Sequence, residues 1–171
     1  INSAIKEIKN KGMVVVLDNE DRENEGDLVM ASDAVTSSNI NFMAKEGRGL
    51  ICISVSNSRA NKLDLEPMEQ KNTSLHETNF TVSIDAVKDT TTGISAQDRS
   101  KTIRLMVDEN SKPEDFARPG HIFPILAKDG GILRRSGHTE ASLEIADLAG
   151  FKSSGVLCEI MAEDGTMLRG K

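Results

Sequence analysis

The chain of 171 residues carries 21 Lys+Arg against 27 Asp+Glu, a formal charge of -6. That length suits one domain with its own core, and an acidic balance with no Trp, no Tyr and only 5 Phe excludes a nucleic-acid or anionic-membrane binder, which needs a basic stripe or a stacking platform. No apolar run approaches a membrane span and residues 1–12 hold no signal-peptide core, so the expectation is a cytoplasmic protein whose two cysteines, Cys52 and Cys158, are buried and reduced.

Ile1, Ile5 and Ile8 recur at helical spacing ahead of Gly12, which predicts an amphipathic first helix. The β-branched run over residues 13–17 predicts a buried strand, and residues 28–31 a second. Between them, residues 20–27 read as a loop that crowds Glu20, Asp21, Glu23, Glu25 and Asp27 around Arg22. Carboxylates this close repel one another unless a cation answers them; a hard divalent ion does so best, and Arg22 can fork onto a phosphate or carboxylate. The competing reading is a solvated acidic turn. A calcium-binding EF-hand is excluded, because Ser32 stands where its bidentate Glu is required.

Farther on, Thr36 or Ser37 can cap a helix that carries Ile40, Met43 and Ala44 and stops at Gly47 and Gly49. Residues 50–55 predict a strand, 57–63 a short helix, 64–78 a long polar loop and 79–85 a half-exposed strand. Ser95 and Asp98 resemble a capping pair for a helix over residues 96–110. Residues 113–119 read as a linker, and 120–126 as a short edge strand interrupted by Pro124. Arg134, Arg135, Ser136 and Gly137 then precede a helix that Gly150 ends. Arginine, hydroxyl and glycine ahead of a helix N-terminus are what a phosphate cradle requires. The last strand covers residues 156–161 with Glu159 embedded in it, where the solvent face is the commoner placement.

Of the 3 histidines, His76 has no partner nearby in sequence and reads as surface. His138-Thr139-Glu140 matches the His-x-Glu of zinc deaminases, but two isolated cysteines cannot supply the Pro-Cys-x-x-Cys that such a site needs. No nucleophile elbow, P-loop or dinucleotide glycine fingerprint is present. One or two histidines with many oxygen ligands suit magnesium or manganese. Four blocks stand out together: Asp21-Arg22-Glu23-Asn24-Glu25-Gly26-Asp27-Leu28, Thr91-Thr92-Gly93-Ile94-Ser95-Ala96-Gln97-Asp98-Arg99, Arg118-Pro119-Gly120-His121-Ile122-Phe123-Pro124 and Gly137-His138-Thr139-Glu140-Ala141. In this order they resemble the signature blocks of 3,4-dihydroxy-2-butanone 4-phosphate synthase, and the similarity continues through Gly155-Val156-Leu157-Cys158-Glu159.

The resemblance implies an α+β fold, a single domain of mixed β-sheet with surrounding helices over residues 1–171, lacking the family's C-terminal helix and terminal segment. It also implies only the synthase half of those relatives that are fused to a zinc-dependent GTP cyclohydrolase. The activity it implies is a lyase of riboflavin biosynthesis that turns D-ribulose 5-phosphate into L-3,4-dihydroxy-2-butanone 4-phosphate and formate. Magnesium is the expected cofactor, two ions per site, with manganese as the substitute. The expected assembly is a homodimer with active sites near the interface. Carried over residue by residue, Glu23 and His138 are the metal ligands. Arg22, Glu23 and Asp27 from the acidic loop, the run Arg135, Ser136, Gly137, His138 and Thr139, and Glu159 bind substrate. His121 and Glu159 match catalytic positions, with Asp27 as a general base, and Thr92, Asp98 and Cys52 are further candidates to line the site. The acidic loop is a candidate lid. Two other functions compete: a silent phosphate or metal binder, which has no need of an acid at Glu159, and an isomerase that stops at the enediol.

Overall fold

The computed structural model describes residues 1–170. Helix α1 (Asn2–Lys9) follows the isoleucine spacing, with Ile8 fully buried. Strands β1 (Val14–Leu17) and β2 (Gly26–Ala31) form an antiparallel hairpin that sets Leu17 opposite Gly26. β1 is not the buried strand its composition predicts. It lies at one edge of the sheet, and Val15 and Leu17 are 56% and 59% exposed. β2 is buried throughout, being flanked on both sides, and it starts early enough to make Asp27 a strand residue.

Helix α2 (Ser37–Phe42) starts at Thr36, whose hydroxyl accepts the Asn39 N–H while the Asn39 side chain accepts the Thr36 N–H. It runs into a π-helical turn, Met43–Gly47, that ends on Arg48 at φ 68° rather than on a glycine. Gly47 and Gly49 are set by packing instead: a Cβ on Gly47 would come within 3.0 Å of Cys158 Sγ, and one on Gly49 would collide with Glu159. Strand β3 (Cys52–Val55), helix α3 (Asn57–Lys62) and strand β4 (Ile84–Ala86) follow. Contrary to the half-exposed strand expected over residues 79–85, β4 is short and wholly buried, because α4 (Ala96–Val107) lies on it and Thr102 Oγ1 accepts the Ala86 N–H at 2.9 Å. The α4 helix ends three residues sooner than expected, at Val107, because the backbone of Asp108 is extended.

Residues 116–119 are no linker. Strand β5 (Phe116–Leu126) contains them and lies inside the sheet, between β3 and β4, rather than at an edge. Pro124 is tolerated there because its neighbour uses only its carbonyl, which accepts the Thr81 N–H at 2.9 Å. Helix α5 (His138–Leu148) and strand β6 (Gly155–Glu159) complete a six-stranded sheet of order β1-β2-β6-β3-β5-β4, in which only β3 and β5 are parallel.

The sheet divides the core. On one face Met30, Ile53, Ile122 and Val156 meet Ile40 of α2, Met43 just beyond it, and Ile103 and Met106 of α4. Each such side chain contributes about 1.5–3 kcal/mol by leaving water. The opposite face carries a smaller cluster of Val29, Cys52, Ile125 and Leu157, covered by Ile145 of α5. There Ser142 of α5 donates to Ser54 Oγ at 2.9 Å. The architecture is α+β with a mixed sheet, and it brings the start of α5 over the ends of β2 and β6. Among the described residues no helix is long and apolar enough to cross a membrane.

Candidate active site

The acidic loop is organised by a residue outside its motif. Asp18, directly after β1, accepts the N–H groups of Glu25 at 2.9 Å and Glu23 at 3.0 Å and the Arg22 guanidinium at 2.7 Å. Burial pushes its carboxyl up, but these hydrogen bonds and the charge of His138 outweigh that and hold it below the usual range. Arg22 turns its other nitrogen to Glu23 at 2.8 Å, and Arg169 reaches Glu25 at 2.8 Å. Sequence reading missed Asp18; its only signal was an acid at the strand end.

His138 opens α5 and is 6% exposed. Its Nε2 lies 3.1 Å from the Glu25 carbonyl, so this nitrogen carries a proton and donates, and Nδ1 is the atom turned to the carboxylates. Nδ1 stands 3.8 Å from Asp27 and 3.9 Å from Glu23. One donor atom each from Asp18, Glu23 and His138 fall within 4.8 Å of one another. Both Asp18 oxygens are already committed to the loop, so Glu23 and His138 hold the open ligand capacity. Asp27 pairs across the strands with Glu159, which is half-buried rather than on the solvent face and accepts the Leu50 N–H at 2.8 Å. Asp27 Oδ1 is buried with no hydrogen-bond partner. Burial, then the charges of Glu159, Glu23, Asp18 and Glu25, push the Asp27 carboxyl up to about 8. Burial raises Glu159 as well, against the hydrogen bonds it accepts. An oxygen-rich donor set with one imidazole nitrogen, excess negative charge and an orphaned carboxylate oxygen fits magnesium.

The second half of the site is cationic. Arg135 is held by Glu140, 2.8 Å away and 1% exposed, and its other nitrogens point at the His76 carbonyl. His76, read from the sequence as surface, thus helps through its main-chain carbonyl to orient this arginine. Arg22, His76, Lys128, Arg134, Arg135 and Ser136 line a cavity of about 500 Å³. Gly137 is the N-cap of α5, and any side chain there would run into the Arg135 guanidinium. Thr139 follows on the first turn and is buried.

His121 stands apart from the acidic cluster. Its strand is two places from β6, a lateral distance of ~10 Å at the usual strand spacing. The side chain bonds to Asp85 at 2.6 Å, a partner that sequence reading did not name. Thr92 is exposed, while Asp98 is buried and accepts from Thr91 and Gly93, so it shapes the loop rather than opening onto the site. Cys52 lies beneath the carboxylates, its thiol pushed well above the ordinary range by burial and then by Glu159 and Asp27.

The profile of the 3,4-dihydroxy-2-butanone 4-phosphate synthase family matches residues 2–171. A 3,4-dihydroxy-2-butanone 4-phosphate synthase of Helicobacter hepaticus is 60% identical over 98% of the chain, which covers 47% of that protein. A riboflavin biosynthesis protein RibBA of Chlorobium phaeovibrioides is 56% identical over 99% of the chain, which covers 42% of that protein. The chain thus spans about half the length of the curated relatives it matches. Among solved structures, a 3,4-dihydroxy-2-butanone 4-phosphate synthase in complex with two magnesium ions superposes with a TM-score of 0.94 at 41% identity, covering 99% of this chain and 84% of that one.

Proposed function

The chain belongs to the 3,4-dihydroxy-2-butanone 4-phosphate synthase family, and from that premise we propose that it converts D-ribulose 5-phosphate into L-3,4-dihydroxy-2-butanone 4-phosphate and formate, as a magnesium-dependent lyase of riboflavin biosynthesis. The observation that carries this reading is the meeting of two unlike half-sites: His138 and Glu23 beside the protonatable pair Asp27 and Glu159, and next to them the arginine-lined cavity. A sugar phosphate needs both halves. The reading includes two ions per site, manganese as a substitute, and a homodimer.

Glu23 and His138 would hold the metal, the latter through Nδ1. Bound there, magnesium supplies a Lewis acid that polarises the substrate's carbonyl and stabilises negative charge on its oxygens. The phosphate is taken by Arg135, with Ser136 and Thr139 as hydroxyl donors, at the positive end of α5, where Gly137 leaves room for the Arg135 guanidinium. Arg22, at the border of the two halves, serves both.

The chemistry begins with loss of a carbon-bound proton next to the ketone, which gives an enediol. Asp27 is the fitting base: its carboxylate lies 3.8 Å from His138 with one oxygen free of hydrogen bonds, and burial with the neighbouring acids favours its protonated form once it has taken the proton. Glu159, also raised, holds and passes protons across the strand pair. Loss of water, a skeletal 1,2-shift and release of formate follow. The water lost is regained when formate leaves, so substrate and the two products balance without a co-reactant. His121 takes part in these later proton transfers from the far side of the site.

Carbon-13 NMR with labelled D-ribulose 5-phosphate tests the reading. Formate and a four-carbon ketone phosphate should appear with magnesium and vanish with chelator. A new pentulose would establish an isomerase instead, and an unchanged spectrum a binder. Glu23→Gln should lose magnesium-dependent turnover with its circular dichroism intact; full activity in that variant removes the metal role assigned to Glu23.

A further inference from the structure

Beyond β6 the chain doubles back and lies along the acidic loop. Met161 pairs with Met167 across a corner where Gly165 takes φ +85° and Asp164 accepts the Thr166 N–H at 3.0 Å and its hydroxyl at 2.7 Å. On the way back the Leu168 N–H donates to the Ile160 carbonyl at 3.0 Å, and Arg169 forms an antiparallel bridge with Glu25. Asn24 and Gly170 then bond in both directions: the Gly170 N–H reaches the Asn24 carbonyl at 3.3 Å, and the Asn24 amide reaches the Gly170 carbonyl at 3.2 Å. Residues 160–170 thus form a strap seated on Asn24 and Glu25.

Glu25 is where the strap meets the metal site. Its N–H donates to Asp18 Oδ1 at 2.9 Å, and its carbonyl accepts both the Asp18 N–H at 3.3 Å and His138 Nε2–H at 3.1 Å. Its carboxylate takes the Arg169 guanidinium at 2.8 Å. The carbonyl sets the ring of His138 with Nδ1 toward Glu23 and Asp27, and a histidine that holds a metal depends on such a partner for its ring angle. Glu25 follows Asn24, whose backbone is left-handed at φ +56°, in a loop crowded with like charge. Released from Arg169, the Glu25 carboxylate is pushed away by its acidic neighbours and draws its carbonyl with it. The ion pair itself adds little stability, since Arg169 is 55% exposed; what it supplies is placement.

We propose that Arg169 is a positioning residue for the metal site: by fixing Glu25 it holds the carbonyl that aims His138. This rests on the reading of Glu23 and His138 as the metal ligands.

Calorimetry with magnesium on the metal-stripped chain tests this. Arg169→Met keeps the unbranched stem and drops the charge, and should weaken magnesium binding ~10–100-fold, the range for a lost partner of a ligand histidine, with circular dichroism unchanged. The sign is diagnostic, because removing a positive charge beside the site would by itself tighten cation binding. The contact uses one nitrogen, so Arg169→Lys should restore most of the affinity. In a Glu25→Ala background, Arg169→Met should change it no further. Nitrogen-15 NMR in chelator supplies a readout without metal. The His138 Nε2–H, assigned among 3 histidines by comparison with His138→Ala, should exchange slowly with water in the wild type and fast in Arg169→Met. Wild-type magnesium affinity in Arg169→Met, or an equal loss in the Glu25→Ala background, overturns the proposal. So does unchanged exchange at His138. Wild-type affinity in His138→Ala overturns the reading beneath it, whatever Arg169 does.

Discussion

Glu140 is almost fully buried and uses both of its oxygens: one accepts the Lys128 N–H at 2.9 Å, the other the Arg135 guanidinium at 2.8 Å. It stands two residues from His138 on the same helix, so a single acid ties the cationic cavity to the start of α5. Neutralising it leaves Arg135 without its charged partner and a desolvated guanidinium imperfectly paired. Glu140→Gln should raise KM for D-ribulose 5-phosphate about tenfold with a smaller change in kcat, and cost ~1–3 kcal/mol of stability. Steady-state kinetics and denaturant melts check both; an unchanged KM would show that Arg135 is aimed without Glu140. Asp18, Asp85 and Glu140 have the same character, carboxylates that orient another residue. The sequence hides two of them, each for its own reason. Asp85 meets His121 across 36 positions, and Asp18 bonds mainly to main-chain groups, which carry no sequence signal.

At the scale of elements, the site depends on how closely α5 lies on the sheet. Gly155 at the start of β6 faces Ser142 of α5, and a Cβ there would stand 2.7 Å from both the Ser142 side chain and its carbonyl. Backbone cannot rotate away as a long side chain can, so Gly155→Ala must push the helix outward. Overpacking of this kind costs about 1–3 kcal/mol. Because α5 also carries His138 and Thr139, the variant should lose magnesium affinity in calorimetry beyond what its stability loss explains, whereas Gly150→Ala, where a Cβ meets nothing, should not. The hairpin around the acidic loop and the cap of α5 were legible, since alternation, charge crowding and glycine placement are local signals. β5 was not. Its prolines argue for an edge, and the interior position becomes intelligible only once Thr81 is seen to use just the Pro124 carbonyl. The edge placement of β1 was equally hidden, because a β-branched run suits a buried or a half-buried strand alike.

For the whole molecule, the concentration of acids at one end of the sheet predicts an unusual dependence of stability on pH. Asp18, Glu23, Glu25, Asp27 and Glu159 are answered locally by Arg22 and Arg169, and the chain carries -6 overall. The unanswered part falls on Asp27, whose carboxyl rises from an ordinary 3.8 to about 8 in the folded, metal-free protein. Between those values the folded state keeps a proton that the unfolded chain has released. Stability therefore declines as pH rises through that window, by at most ~1.4 kcal/mol per pH unit, and levels off above it. Asp27→Asn removes the charge without changing the shape, so in chelator the variant should melt higher than the wild type near pH 8 and show a flatter profile. Magnesium supplies the missing positive charge by another route. It should raise the wild-type melting temperature most at the alkaline end, where Asp27 need not first lose its proton, and do less for the variant. Parallel melting profiles for the two proteins in chelator would mean that Asp27 is ionised in the free protein. The hairpin would then be shedding its repulsion by moving Glu23 and Glu25 outward, and the acidic loop, rather than a bound proton, would absorb the cost of an empty metal site.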